Sequence, residues 1–364
     1  EREREGEREM KKGTVLPFVG MVIAQFAQVG LIILGKEAMS SGMTNFTFVF
    51  YSNALASLIL LPSSFILHRS SRPPLTFSIL SGFFLLGVLG CLVQLSGYAG
   101  ILYTSASFAT AILNIIPAFT FILAIIFRME KLDCRSSSTL AKSIGTVVSI
   151  TGAFIVTLYK GPPILMAPSH SDSPHQHLDM KLSKWVIGGL LLAVDCALSS
   201  GYIIVQALIL KKYSAELIIV FFYCFFVAIL SGIVSLMVDR DVHAWSLQPN
   251  IRLIAVLYSG VFGSAFQVSI VTWCLHRTGP LFVTMFHPLG IAIAAAVGSI
   301  FLGDTFYLGS LVGTIVIVIG FYSVMWGKAK EGKMVEDGGV KSLESTSENA
   351  PLLQNNVEET SLVP

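Results

Sequence analysis

Residues 309–326, GSLVGTIVIVIGFYSVMW, form an apolar run without a single charge, long enough to cross a hydrocarbon core as a helix. Gly309, Gly313 and Gly320 fall on roughly one face of that helix. The stretch 141–158, AKSIGTVVSITGAFIVTL, repeats the pattern: Ala141, Gly145, Thr146 and Gly152 correspond to Gly309, Gly313, Thr314 and Gly320 at a constant offset of 168. Upstream, Phe108, Thr110 and Glu130 correspond to Phe282, Thr284 and Asp304 at an offset of 174, so the first copy carries the longer loop. Two matching blocks in the same order mark an internal repeat. Small residues spaced in this way let membrane helices approach closely, so the glycines read as packing positions rather than substrate contacts.

Windows of span length extend the reading in both directions and give ten apolar helices. They cover Val15–Leu34, Thr47–Leu67, Phe77–Gly97, Ser105–Phe127, Leu140–Tyr159, Trp185–Ala207, Leu217–Val238, Ile251–Leu275, Leu281–Gly303 and Tyr307–Trp326. The fold class expected is therefore an all-α polytopic membrane protein of ten transmembrane helices. Five spans per copy is an odd number, so the second copy enters from the opposite membrane face and the repeats are inverted. The chain divides into a structureless N-terminus (1–14), a first repeat (15–159), a linker loop (160–184), a second repeat (185–326) and a structureless tail (327–364). The Glu/Arg repeat at the start has no apolar period. The first apolar run is too long for a signal-peptide core and is not followed by a small-residue cleavage pattern, so it reads as a retained helix.

Composition agrees: 54% of residues are hydrophobic and 13% charged, with a mean hydropathy of +0.74. A net charge of +2 and the absence of an extended basic surface exclude nucleic-acid binding. Cys91, Cys196, Cys224 and Cys274 lie inside apolar runs and Cys134 in a short basic loop, without disulfide or zinc spacing. His170, His175 and His177 sit in a Pro/Ser-rich loop and read as solvated rather than metal-binding. No cofactor or metal is expected. The absence of HExxH, GxSxG, phosphate-loop and dinucleotide motifs in suitable settings argues against a membrane enzyme.

Orientation follows from the basic residues. Alternate loops and both termini carry 18 Lys and Arg against 6 on the other side, which places both termini in the cytoplasm and the 160–184 loop opposite. Trp185, Trp245, Trp273 and Trp326 fall at span ends or in a loop, as an interfacial belt requires. The Asn45 sequon abuts the second span and is expected to stay unoccupied. Glu348, Leu352 and Leu353 in the tail form an acidic dileucine pattern of the kind a sorting adaptor binds. A homodimer is left open.

Polar residues inside spans are costly and so point to function. Thr110, Asn114 and Pro117 share a face of the fourth span, and Pro117 frees the carbonyl of Leu113. Thr284, His287 and Pro288 cluster in the ninth, where Pro288 frees the carbonyl of Thr284. Such irregular backbone is tolerated only against protein or water, so Pro117 and Pro288 are expected as helix breaks flanking a cavity lined by Asn114 and Thr284. Asp195, near the middle of the sixth span, is the leading candidate for substrate or proton coupling. His287 is a further substrate or proton candidate. Gln25 and Gln28 on one face of the first span, and Gln267 in the eighth, read either as cavity lining or as interhelical hydrogen bonding. Glu130 and Asp304 read as capping residues at span ends.

Four stretches carry a resemblance: TSASFATAILNIIPAFTFILAIIFRMEKL (104–132), AKSIGTVVSITGAFIVTLYKGP (141–162), AWSLQPNIRLIAVLYSGVFGS (244–264) and the run from Gly279 to Glu331. Over about Met10 to Glu331 the chain resembles the plant Walls-Are-Thin-related, nodulin-type EamA transporters, also called UMAMIT amino-acid transporters, of the drug/metabolite transporter superfamily. The resemblance implies two EamA repeats and facilitated movement of amino acids, with auxin or related indole compounds as substrates of some members, at the plasma membrane or the vacuolar membrane. Other superfamily carriers, of purines or nucleotide sugars, are the alternative reading, and a non-transporting structural membrane protein is a further one. The nucleotide-sugar reading calls for more intramembrane basic groups than this sequence has. The chain departs from the resemblance at Ser52, where many relatives have Arg after Tyr, and at His287, where close relatives often have Lys.

Overall fold

The computed structural model describes residues 2–67, 75–104, 112–129, 136–159, 162–165, 178–238, 245–248, 250–297 and 306–348. Its elements are α1 (Arg2–Ser40), α2 (Asn45–Leu67), α3 (Phe77–Tyr103), α4 (Ile116–Ile126), α5 (Ser137–Leu158), β1 (Pro163–Leu165), α6 (Leu178–Lys212), α7 (Glu216–Val238), α8 (Asn250–Tyr258), a π-helix (Ser259–Gln267), α9 (Val268–Thr278), α10 (Pro280–Thr284), α11 (Phe286–Val297), β2 (Phe306–Tyr307) and α12 (Leu308–Glu348). Thr110, Glu130, Cys134, His170, His175, His177, Asp304, Leu352 and Leu353 lie outside the described residues.

Among the described residues eight helical stretches are long and apolar enough to cross a bilayer, with α8, the π-helix and α9 forming one of them. Within the described residues the fourth and ninth expected spans are each interrupted: Asn114–Ile115 is a turn before α4, and Met285 separates α10 from α11. The outer surface is apolar in the manner of a lipid-facing protein, with Leu58, Phe77, Leu236 and Tyr322 all more than two-thirds exposed.

Two expectations need correcting. The first is the structureless N-terminus, since α1 runs from Arg2. Glu and Arg are good helix formers, and extending an existing helix avoids the cost of a new nucleus. The second is the tail and the linker: α12 continues to Glu348, and α6 begins at Leu178, inside the expected 160–184 loop. The same extension of a formed helix into polar sequence accounts for both. The bundle is all-helical as expected, with one short addition, β1 and β2, which pair antiparallel with Pro163 opposite Tyr307. The two strands follow and precede the packed helices α5 and α12, which hold their ends side by side.

The helices pair across the two halves of the chain, and each pair is antiparallel. In α3 a side chain added at Gly82 would meet Ile209, at Gly97 Asp195 and at Gly100 Leu192, so α3 descends as α6 ascends. Thr47 Oγ1 lies 2.8 Å from Ser235 Oγ, and Gly232 sits against Phe50, which fixes α2 against α7. Cys274 donates to the Pro17 carbonyl and Tyr258 to that of Ala27, so α1 runs against α8 and α9. The α5–α12 pair uses the repeated glycines as expected: a Cβ at Gly145 would lie 2.6 Å from the Gly320 carbonyl, and one at Gly313 2.7 Å from that of Gly152. At such separations the two backbones touch, which only glycine permits.

Candidate functional site

The break in the fourth span is stabilised from α6. Pro117 at the start of α4 cannot donate a backbone hydrogen bond, and the backbone before it turns, with Ile115 N donating to Ile112 O at 2.9 Å. Two side chains from successive turns of α6 satisfy carbonyls at the break: Cys196 Sγ reaches Ile112 O at 3.2 Å and Ser200 Oγ reaches Ile116 O at 3.2 Å. The irregular backbone is thus paired with protein rather than lipid. Asp195, adjacent to Cys196 and 3% exposed, turns toward α3 and accepts a 2.9 Å hydrogen bond from Ser96 Oγ. Asn114, 1% exposed, occupies the turn itself.

A second polar feature crosses the centre of the bundle. Asn53 Nδ2 in α2 donates to the Val49 carbonyl at 2.9 Å and to Gln94 Oε1 in α3 at 3.1 Å. Gln94 Nε2 donates to the Tyr223 hydroxyl in α7 at 2.9 Å. The Tyr223 ring packs on Tyr202 of α6, with centroids 5.4 Å apart, and Tyr202 neighbours Gln206 one turn on. Gln206 Nε2 donates to Thr272 Oγ1 in α9 at 2.8 Å, and the Thr272 hydroxyl donates to the Val268 carbonyl at 2.7 Å. This chain of amides and hydroxyls links α2, α3, α7, α6 and α9 where apolar packing surrounds it, with Asn53 and Thr272 fully buried.

The remaining expected residues are distributed as follows. Gln28 and Gln267 meet, with Nε2 of Gln267 donating to Oε1 of Gln28 at 2.6 Å. That is the interhelical hydrogen bond that the sequence left open, made where the π-helix ends. Gln25 packs against Gly290 of α11. Thr284 is fully buried and its hydroxyl bonds back to the carbonyls of Pro280 and Leu281, at 3.1 and 3.2 Å. His287 and Pro288 begin α11 beside Phe286, which packs with Phe18, Phe282 and Phe321. The structure thus brings Gln28 to Gln267, and Asp195 within one residue of the break that holds Asn114. Sequence reasoning missed Asn53, Gln94, Gln206, Tyr202, Tyr223 and Thr272. The three amides were legible, since they sit in apolar runs just as Gln25 does.

The chain matches the EamA-like transporter family over two stretches, residues 16–158 and 186–326. A WAT1-related protein of Arabidopsis thaliana is 46% identical over 360 residues, spanning 94% of this chain and 96% of the relative. A second from the same plant is 44% identical, spanning 96% of this chain and 95% of its own length. This chain is a plant WAT1-related EamA transporter. A solved crystal structure that is 12% identical superposes with a TM-score of 0.62 over 88% of this chain and 98% of that one, a likeness of fold.

The two ends of this WAT1-related protein differ. At one, Arg252 at the start of α8, 7% exposed, donates from Nε to Ser41 Oγ at 2.9 Å, from one terminal nitrogen to the Ser246 carbonyl at 3.0 Å and from the other to the Ser41 carbonyl. The α1–α2 turn receives it through Gly42, at φ +96°, where a side chain would crowd the guanidinium. Tyr51 donates to the Trp245 carbonyl at 3.0 Å beside it, and Phe50 packs edge-on against the Trp245 ring. At the opposite end of the same span, His276 Nδ1 lies 2.6 Å from Glu216 Oε1, over a cavity of about 110 Å³ lined by Met129, Leu210, Lys211, Leu275, His276 and Pro280 among others. None of the seven expected site residues lines that cavity. This EamA transporter is therefore tied together at one end and indented at the other.

Proposed function

We propose that this transporter carries small organic solutes, amino acids first and auxin-like indole compounds second, by facilitated and reversible alternating access in the plasma or vacuolar membrane. The observation that carries the reading is the pattern of helix pairing. In a ten-span chain of two inverted repeats, exchanging the halves swaps the first span with the sixth, the second with the seventh and so on. Under that exchange the pairing of α1 with α8 and α9 becomes that of α6 with α3, while α2 with α7 and α5 with α12 map onto themselves. Pairing that is closed under exchange supports inverted repeats whose broken fourth and ninth spans are partners. Such an architecture opens to either side by rocking one half against the other. The closed Arg252 end and the indented His276 end fit one such state. Asp195, Asn114, Gln25, Gln28, Gln267, Thr284 and His287 are proposed to contact solute along the path. Full-length protein in liposomes should take up labelled amino acids, faster when unlabelled substrate is loaded inside. Absence of uptake across the twenty amino acids, indole-3-acetate, purines and nucleotide sugars would overturn the reading.

A further inference from the structure

The polar chain through the bundle has a direction, and both of its ends are bare acceptors. Among the buried side-chain atoms without a hydrogen-bond partner in the described residues, three are hydroxyl oxygens, of Ser52, Thr120 and Ser149, which rotation can turn toward a nearby carbonyl. The other two are amide carbonyls, Asn53 Oδ1 and Gln206 Oε1, which only an incoming donor can satisfy.

Asn53 cannot be reversed. The Val49 carbonyl accepts from Asn53, so Nδ2 must face it and Oδ1 must point away. Because Asn53 Nδ2 also donates to Gln94, the oxygen of Gln94 is used there and its nitrogen faces Tyr223. At the other end, the Thr272 hydroxyl also reaches the Val268 carbonyl, and with its proton there Thr272 accepts from Gln206 Nε2 and leaves Oε1 over. The Val49 carbonyl thus fixes the polarity from Asn53 through Gln94 to Tyr223. The oxygens left over belong to residues 0% and 1% exposed, on helices from opposite halves of the molecule. A buried carbonyl without a donor is uncommon in native proteins and calls for an explanation.

We infer that Asn53 Oδ1 and Gln206 Oε1 are the recognition atoms of a solute site, collapsed in this conformation, that takes a ligand presenting N–H donors, such as a primary ammonium or an amide. The inference rests on the transport reading above and deepens it. Gln94, Tyr202 and Tyr223 lie between the two acceptors and form the polar and aromatic floor of the site. An anionic solute lacking N–H groups has nothing to offer either oxygen.

The test compares donors at constant charge. The best-transported amino acid in the panel is paired with its N-trimethyl analogue, which keeps the zwitterion and removes every ammonium N–H. Binding to purified full-length protein and uptake into liposomes are both measured. Wild type should bind the amino acid at least about tenfold more tightly than the analogue, as expected for charge-assisted hydrogen bonds. Asn53→Leu and Gln206→Met, near in size but without the acceptor, should each weaken the amino acid about tenfold. Should either variant be polydisperse, the wild-type comparison of amino acid with analogue stands by itself. Equal affinity for amino acid and analogue would overturn the inference and leave the two oxygens to buried water. So would wild-type affinity in monodisperse Leu and Met variants. Uptake confined to solutes without N–H donors would overturn it while leaving the transport reading intact. No uptake of any solute would fail the transport reading first.

Discussion

At the scale of single residues, Asp195 separates a functional from a structural acid. Its partner Ser96 donates at 2.9 Å from α3, so a neutral amide at position 195 retains an oxygen to accept that bond. What Asp195→Asn removes is the capacity to carry charge and to exchange a proton. We expect normal delivery to the membrane, uptake of zwitterionic substrate reduced about tenfold as for loss of one charge-assisted hydrogen bond, and a flatter dependence of uptake on pH. Wild-type uptake and pH profile at matched surface expression would assign Asp195 to packing. Residue identity in the sequence revealed which side chains are expensive to bury, and that was enough to single out Asp195, Gln28 and Gln267. It did not reveal partners. Thr284 is as polar as Asn53 on paper, yet its hydroxyl folds back on its own helix, whereas Asn53 reaches across to α3. A hydroxyl spends its single proton on the preceding turn, whereas an amide that does the same keeps a second N–H and an oxygen for other partners, so span amides are the better pointers.

Among the elements, α5 and α12 were legible because their glycines recur at a fixed offset and only close backbone contact explains that recurrence. Gly145→Leu should separate the pair, costing roughly 1–3 kcal/mol or more, since the new side chain meets the Gly320 backbone rather than a yielding side chain. Gly201→Ala in α6 is the matched control, because a Cβ there meets nothing within 4 Å and the helix gains propensity. Thermal denaturation followed by fluorescence-detected size exclusion should show a large fall for the first and no fall for the second. Two features of the elements were not legible. The π-helix at Ser259–Gln267 leaves no periodic signature in the sequence, and Leu31 and Leu55 pack beside its Gly263 and Gly260. The helical N-terminus was hidden because a Glu/Arg repeat lacks an apolar period whether or not it continues a helix.

For the whole molecule, the difference between its two ends sets an expectation about exchange between states. Arg252 joins the α1–α2 turn to the segment before α8, and Tyr51 with Trp245 closes the same face. The orientation expected from the excess of basic residues in the opposite loops would put this face outside the cytoplasm. Arg252→Met removes the hydrogen bonds that hold the closure while keeping an unbranched chain. In a cysteine-free background with Val49→Cys, which sits 1% exposed below the closure, an impermeant thiol reagent applied to intact cells should react several-fold faster once Arg252 is replaced. Equal rates with and without Arg252 would show that the guanidinium merely fastens a loop. Reaction only after the cells are permeabilised would reverse the assigned orientation.

The cross-pairing of halves also bears on how the protein is made. The main packing partner of α1, α2, α3 and α5 in each case belongs to sequence that follows residue 178. When the ribosome has finished the first repeat, Asn53, Gln94 and Ser96 are already in the bilayer while Tyr223 and Asp195 are still untranslated. Amides and hydroxyls in that interval face lipid or the insertion machinery, and each half is an incomplete solvent for the other. The first repeat expressed alone is therefore a client for quality control, and the two halves expressed as separate chains should rescue one another from degradation.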